Sequence, residues 1–176
     1  MKKKVAVLAV NPVNGIGLFT YLEQLYENGI EFQVFAVSTE TKIKTNSGIY
    51  LETDDRIGNL KNREQNFDAM FFACGNAMPE FVNKIDEIYN RDMLAVIENF
   101  AKAQKIIVGH CASALLFNQT KALYGKRVAL HPMIKNYVPN LLVSDKSFEI
   151  DGKLFTAKNE ICITELMPFV INALKE

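Results

Sequence analysis

Short apolar runs, one of them alternating with polar residues, recur along the chain, and turn-forming or polar residues end each run. Such runs are typical of strands that are covered on both faces in a parallel sheet. They predict strands over residues 5–10, 31–37, 67–74, 105–110 and 127–130.

Stretches with helical spacing lie between these strands. Apolar residues from Leu18 to Tyr26 form one stripe of a helix, and Asn28-Gly29 tolerates the left-handed conformation expected at its end. Further helices are predicted at residues 92–103, 112–123 and 163–174. Short hairpins are predicted at residues 42–53 and 148–156, the second with an Asp151-Gly152 turn.

Strands that alternate with helices predict a doubly wound α/β sandwich with a mostly parallel sheet. The length of 176 residues suits one domain with a substantial core, so we expect a single domain over residues 1–176. Twenty Lys and Arg residues balance twenty Asp and Glu residues. This balance argues against the broad basic field on which binding to nucleic acid or to an anionic membrane depends.

The apolar run after Lys2-Lys3-Lys4 spans six residues, which is too short for a signal-peptide core or a membrane span. We therefore expect a cytoplasmic protein. Cys74, Cys111 and Cys162 are odd in number and contain no Cys-x-x-Cys pair, so neither a disulfide framework nor a cysteine-rich zinc site is expected. Each is interpreted as a free thiol.

Residues that can carry chemistry gather at the predicted carboxyl ends of the strands, where α/β folds place their sites. They are residues 11–17, Cys74-Gly75-Asn76, His110-Cys111 and His131. Cys111 follows an apolar strand and precedes a predicted helix, which is the setting of a nucleophile elbow, and helix N-terminal amides would favour its thiolate. The alternative is an inert core cysteine, the interpretation favoured for Cys74 and Cys162.

The neighbours of Cys111 predict a catalytic arrangement. The N–H groups of Ala112 and Gly75 would form an oxyanion hole. His131 would lie near the elbow if its strand is adjacent, and it would then relay protons. His110 is a weaker candidate for the base because consecutive strand residues point to opposite faces, unless the elbow rotates one of them. These residues lack recognisable metal-ligand spacing, so no metal site is predicted.

The order and spacing of these blocks resemble the PfpI-type superfamily, which includes intracellular protease I and the parkinsonism-associated deglycase. The similarity is carried by IIVGHCASALL at residues 106–116, GKRVALHP at 125–132, the strand and loop at 67–76, and the hairpin at 151–156. It implies a flavodoxin-like three-layer sandwich that usually forms a homodimer. It also implies that Cys111 is the nucleophile, with Gly75 and Ala112 as oxyanion donors and His131 nearby.

The chain departs from this family pattern at several places. Gly17 stands where family members carry a glutamate that hydrogen-bonds the cysteine, and Ala112 stands where protease-like members carry a histidine. Cys74-Gly75 replaces the usual Gly-Gly, and Ser113-Ala114 alters the small pair after the cysteine. These departures argue against protease activity and against glyoxalase or deglycase chemistry that uses the glutamate as base. Glu160, in the loop before the last helix, could approach the site in compensation.

The loop over residues 11–17 has no acidic residue and leads into a helix N-terminus. Asn11, Asn14 and Gly15 are therefore candidates for binding an anion such as the phosphate of a ligand like FMN. The alternative is a tight turn without a ligand, and no cofactor is otherwise required.

Two functions follow from these observations. The first is a PfpI-like, cysteine-dependent enzyme of the hydrolase or lyase type, or a stress-response protein, that acts through Cys111 on a small reactive carbonyl or acyl substrate. The second is a catalytically reduced member that senses oxidants or binds an anionic ligand, because Gly17 replaces the usual acid. A small-molecule substrate and a second copy of the chain are the expected partners.

Overall fold

The structure is a computed structural model that describes residues 2–176. Its strands are β1 Lys4–Val10, β2 Glu31–Val37, β3 Lys42–Lys44, β4 Tyr50–Glu52, β5 Asp55–Arg56, β6 Ala69–Ala73, β7 Ile106–His110, β8 Arg127–Ala129, β9 Leu142–Ser144, β10 Phe148–Asp151 and β11 Leu154–Ala157. Its α-helices are α1 Gly15–Glu27, α2 Ile57–Leu60, α3 Ile88–Lys102, α4 Ala114–Phe117 and α5 Ile163–Lys175.

The central sheet has seven strands in the order β10-β11-β7-β6-β1-β2-β5. Neighbouring strands are parallel except for the antiparallel β10–β11 pair. β6 and β7 are buried along their whole length, as their apolar sequences predict for inner strands of a parallel sheet. The predicted flavodoxin-like α/β sandwich with a mostly parallel sheet is therefore confirmed.

Helices cover both faces of this sheet. α1 packs against α5, and these two helices contact β2, β6, β7, β10 and β11, whereas α2 packs against α3 in a separate layer. The end of α1 agrees with the sequence, because Asn28 caps it and Gly29 takes a φ of +68°. Among residues 2–176, no helix combines the length and the apolar character that crossing a membrane requires.

The helix predicted over residues 112–123 is much shorter than expected. Only Ala114–Phe117 is α-helical, and 3₁₀ turns flank it at Cys111–Ser113 and Lys121–Leu123. The chain leaves the helix at Asn118, whose side-chain oxygen accepts the Asn140 N–H at 2.8 Å while its carbonyl accepts the Asn140 side-chain amide at 3.1 Å. This tertiary contact overrides the helical spacing of the segment.

Two strand predictions also need correction. β8 lies outside the central sheet, since it pairs in parallel with β9 in a separate two-stranded sheet. In the last hairpin, Asp151 pairs with Leu154, so the turn residues are Gly152 and Lys153 rather than Asp151 and Gly152. Asp151 stays in the strand because its carboxylate accepts the Arg127 N–H at 2.8 Å and binds the Lys126 ammonium at 2.9 Å.

Candidate active site

Three neighbouring parallel strands, β1, β6 and β7, end at the same edge of the sheet, and the loops that follow them surround a cavity of about 360 Å³. The cavity is lined by Cys74, Cys111, His131, Glu160 and residues of the adjoining loops. Its volume falls in the range of small-molecule sites. The structure thus gathers the predicted strand-end residues around one cavity.

Cys111 occupies a sharp turn directly after β7. Its φ is +56°, a left-handed conformation that costs a non-glycine residue about 1–2 kcal/mol. Gly109 allows the following turn to fold down onto the strand, because a Cβ there would lie 2.5 Å from Oγ of Ser113 and 2.7 Å from Cζ of Phe117. The geometry is that of an elbow, with Cys111 partly exposed at the cavity wall.

Cys74 is the immediate partner of Cys111. The residue is 2% exposed, and its thiol hydrogen-bonds the Cys111 sulfur. The sequence predicts a core cysteine at Cys74 and does not predict this contact with Cys111. The two predicted strands end at Cys74 and at His110-Cys111, so a prediction that β6 and β7 are neighbours would have revealed it.

The hydrogen bond from Cys74 shifts the pKa values of the two thiols in opposite directions. It is the largest cause that lowers the pKa of Cys111 below its ordinary value, while desolvation and the charge of Glu160 oppose it and the Ala112 N–H adds to it. The pKa of Cys74 is raised well above its ordinary value by the same contact and by burial. The pair therefore favours a thiolate on Cys111 and a protonated donor on Cys74, and the four-residue α4 is not the main source of this effect.

The predicted oxyanion donors lie beside this pair. The Gly75 N–H contacts the Cys74 sulfur, and the Ala112 N–H contacts the sulfurs of both Cys74 and Cys111. Gly75 is the residue that fits here, because a Cβ would lie 2.1 Å from the carbonyl oxygen of Pro12 and 2.6 Å from Cα of Val13. An oxyanion could use the two amides once the Cys74 side chain releases them.

His131 reaches the cavity although β8 is not part of the central sheet. Its N–H donates to the carbonyl of Cys111 at 3.2 Å, which brings the two chain segments together. Its Nδ1 accepts the Met133 N–H at 3.3 Å. In the neutral ring the proton then sits on Nε2, so His131 can donate a hydrogen bond to a ligand through this atom.

His110 points toward α1. It is fully buried, its Nδ1 lies 3.1 Å from the Tyr21 hydroxyl, and its Nε2 has no hydrogen-bond partner. Burial lowers the pKa of His110 to about 4, so the imidazole is neutral near pH 7. A Cβ on Gly17 would lie 2.5 Å from Nε2, and the imidazole thus fills the space beside the position at which the family pattern has glutamate.

Glu160 lines the cavity, as the topology suggested. Its negative charge opposes ionisation of Cys111 and favours protonation of His110. The carboxylate is therefore electrostatically part of the site. Among residues 2–176, no group of three or more His, Cys, Asp and Glu side chains is arranged to hold a metal ion.

The side chains of the first loop take part in structural hydrogen bonds. Asn14 caps α1 by accepting the Gly17 N–H at 3.1 Å, and Asn11 accepts the Lys44 N–H at 3.0 Å. Gly15 packs beside Thr45, with an ordinary contact distance of 3.7 Å from a Cβ to Cγ2 of that residue. Asn14 also lines the cavity, whereas Asn11 contributes to a different one.

This fold and strand-end arrangement match a known family. A family model described as the DJ-1/PfpI family matches residues 3–173, and the chain belongs to that family. The resemblance seen in the sequence is thereby confirmed.

Individual relatives cover almost the whole chain. Protein ppBat of Bacteroides thetaiotaomicron is 51% identical over 175 residues, which are 99% of this chain and 100% of that protein. The crystal structure of "the putative protease I" from Bacteroides thetaiotaomicron is similar with a TM-score of 0.96 and 51% identity, covering 98% of this chain and 99% of that one. Drosophila melanogaster DJ-1beta shares the fold with a TM-score of 0.84 at 17% identity, covering 99% and 91%.

Proposed function

We propose that the protein is a cysteine-dependent enzyme that uses the Cys111 thiolate to attack a small reactive carbonyl or acyl compound. The observation that carries the proposal is the elbow at Cys111, whose sulfur receives a hydrogen bond from Cys74 at the wall of a 360 Å³ cavity. A thiolate is the reactive form of cysteine, so a donor that stabilises it raises the nucleophilic fraction near neutral pH.

The surrounding groups supply the other elements of such a reaction. Attack on a carbonyl carbon places negative charge on its oxygen, which the Gly75 and Ala112 amides could bind after Cys74 moves aside. His131, with its proton on Nε2, would donate a hydrogen bond to the developing alkoxide or to the leaving group. The space of a family glutamate is taken by neutral His110, so the proposed chemistry does not use a carboxylate base at residue 17.

Alkylation of Cys111 with iodoacetamide across pH tests the proposal. Modification is followed by the mass of the tryptic peptide 106–121, which contains Cys111 alone among the three cysteines. We expect a midpoint below the value of about 8.5 for a free thiol. The Cys162→Ser variant serves as control and should behave as the wild type, and a midpoint at or above that of a free thiol contradicts the proposal.

A catalytically reduced, oxidant-sensing protein is the second candidate. It is favoured by Gly17, which removes the family acid, and by the Cys74 sulfur, which occupies both predicted oxyanion donors. Turnover of short acyl esters and α-oxoaldehydes by wild type, but not by Cys111→Ser, would favour the enzyme. Oxidation of Cys111 by peroxide without turnover would favour the sensor.

Anion binding at the first loop is a separate proposal. The N–H groups of Gly15 and Ile16 open α1, and the first amides of a helix have no partner within it. Phosphate or FMN would therefore bind through these amides, since the side-chain oxygens of Asn11 and Asn14 are engaged. Titration with each compound, followed by protein mass under native conditions, tests this role, and no shift at millimolar ligand contradicts it.

We also propose that the protein acts in the cytoplasm as a homodimer. The start of α1 and the β3–β4 hairpin, joined by a bridge between Val13 and Thr45, expose Ile16, Phe19, Ile49 and Tyr50. Apolar side chains exposed on adjoining elements are typical of an interface. Light scattering should give twice the chain mass for the wild type and a shift toward monomer for Phe19→Glu.

A further inference from the structure

The ends of β6 and β7 hold two cysteines side by side, and only one of them has a role in the proposed reaction. We propose that Cys74 resolves oxidised Cys111 by forming an intramolecular disulfide with it, which makes the site a reversible redox switch. This inference rests on the reactivity proposed for Cys111 and adds a modification site, Cys74–Cys111.

Strand register brings the two residues together. Phe71 pairs with Val108 and Phe72 with Gly109 in the parallel register of β6 and β7, and Cys74 and Cys111 each come two residues after the last of these pairs. Neighbouring strands are about 4.8 Å apart. This spacing falls within the Cα–Cα separation of about 4.4–6.8 Å that a disulfide spans.

The side chains and the backbone also favour the pairing. The two thiols are already in hydrogen-bond contact. The Cys74 carbonyl accepts the Asn14 N–H at 2.8 Å, and the Cys111 carbonyl accepts the His131 N–H at 3.2 Å. Because both backbone segments are held in place, a sulfenic acid formed on Cys111 has its closest thiol in Cys74.

The reaction needs a hydroperoxide as oxidant and balances in two steps. The Cys111 thiolate attacks the terminal peroxide oxygen, an S–O bond forms, the O–O bond breaks, and the remaining alkoxide or hydroxide takes a proton. The Cys74 sulfur then attacks the Cys111 sulfur, the S–S bond forms, the S–O bond breaks, and water leaves with the Cys74 proton. Two thiols are oxidised and one peroxide is reduced.

The disulfide would have two consequences for the site. It removes the Cys111 nucleophile, and it prevents further oxidation of Cys111 to the sulfinic acid, which is irreversible for most proteins. A dithiol reductant restores both thiols. Cys162 lies at the start of α5 and does not line this cavity, so it provides a matched control.

The test treats the wild type and the Cys74→Ser, Cys74→Ala and Cys162→Ser variants with a small excess of hydrogen peroxide. Trypsin places the three cysteines in separate peptides, 64–84, 106–121 and 159–175. We expect the wild type and Cys162→Ser to lose two hydrogens and to yield a 64–84/106–121 pair that dithiothreitol separates. Cys74→Ser keeps a hydrogen-bond donor and should instead gain two oxygens on Cys111.

Several outcomes would overturn the inference. A wild type that gains two oxygens on Cys111 while Cys74 stays reduced shows that Cys74 does not resolve it, and leaves the proposed nucleophile intact. A disulfide between Cys111 and Cys162 would also show that Cys74 does not resolve Cys111. If peroxide modifies no cysteine and iodoacetamide gives the midpoint of a free thiol, the proposed function itself fails. Circular dichroism of each variant before treatment verifies that it is folded.

Discussion

The imidazole of His110 fills the space into which a side chain on residue 17 would project. A Cβ built on Gly17 would lie 2.5 Å from Nε2 and 2.7 Å from Cε1 of His110. Both residues are buried, and Tyr21 holds the ring from its other nitrogen. A side chain on residue 17 and the imidazole of His110 therefore cannot both occupy this space.

Introducing a glutamate by Gly17→Glu should destabilise the protein. Overpacking of a filled site costs about 1–3 kcal/mol, and a buried carboxylate without a cationic partner adds to this cost. The double variant Gly17→Glu/His110→Ala should lose less stability than the sum of the two single variants, since the alanine vacates the space. Urea denaturation of the three variants measures the coupling.

Gly15→Glu is the matched control, because it places the same side chain two residues earlier, where a Cβ makes only an ordinary contact with Thr45. A carboxylate in the first turn of a helix is favourable, so this variant should stay within about 0.5 kcal/mol of the wild type. Strict additivity of Gly17→Glu and His110→Ala would show that the two residues do not compete for the same space.

The buried His110 should make stability depend on pH. Its pKa is lowered from 6.5 to about 4 in the folded protein, so between these values the unfolded chain binds a proton that the native state does not. Stability therefore rises with pH through this window and is lost as pH falls from about 6.5 toward 4. The full effect has an upper limit of about 3 kcal/mol.

Urea denaturation at several pH values from 5 to 7.5 tests this dependence by comparing the wild type with His110→Gln. The lowered pKa values of Glu149 and Asp151 act mainly below this range and are common to both proteins. The wild type should lose more stability on acidification than the variant. Parallel profiles would show that the pKa of His110 is the same in the folded protein and in the unfolded chain.

Most of the fold could be predicted from local patterns because long apolar runs and helical stripes report burial directly. β1, α1, β2, β7 and the closing helix all lie where the sequence places them. The short α4 could not be predicted, since the hydrogen bonds that Asn140 donates to Asn118 at its end join residues distant in sequence. The separate pairing of β8 with β9 is a tertiary feature of the same kind.

The sequence predicts the turn at Cys111 in the candidate site, but it predicts only some of the groups that surround this turn. A turn at Cys111 follows from a strand, a glycine and small residues in order, and the resemblance to the PfpI-type superfamily adds specificity. The roles of Cys74 and His110 depend on which strands are neighbours and on which residue fills the space beside Gly17. Both are properties of tertiary packing. A single sequence therefore does not predict that Cys74 contacts Cys111 or that His110 lies beside Gly17.

Gly75 should be intolerant of any side chain. A Cβ there would lie 2.1 Å from the Pro12 carbonyl oxygen and 2.8 Å from the Asn14 backbone nitrogen, and neither backbone atom can move far. We expect Gly75→Ala to destabilise the protein by more than about 2 kcal/mol and to slow alkylation of Cys111. Gly15→Ala, at the start of α1, should be neutral or slightly stabilising, because a Cβ there makes only an ordinary contact.

Thermal unfolding and iodoacetamide rates for both alanine variants check this expectation. Gly15→Ala shows how much an added methyl group near the cavity changes stability and alkylation rate when it meets no backbone atom. The difference between the two variants then reports the clash at Gly75. A Gly75→Ala protein with the stability of the wild type would show that the loop after β1 can withdraw from the β6 end without cost.

The negative charge of Glu160 should restrain the reactivity of Cys111. This carboxylate lines the cavity and raises the pKa of the Cys111 thiol, in opposition to the hydrogen bond from Cys74. Replacing it by Glu160→Gln keeps the size of the side chain and removes the charge. The midpoint of Cys111 alkylation should therefore move to lower pH, and the rate below that midpoint should rise. Glu165→Gln, in the first turn of α5 and away from the cavity lining, should leave the midpoint unchanged. A midpoint that moves upward in Glu160→Gln would instead mean that Glu160 assists deprotonation of Cys111, which would return a carboxylate base to the proposed chemistry.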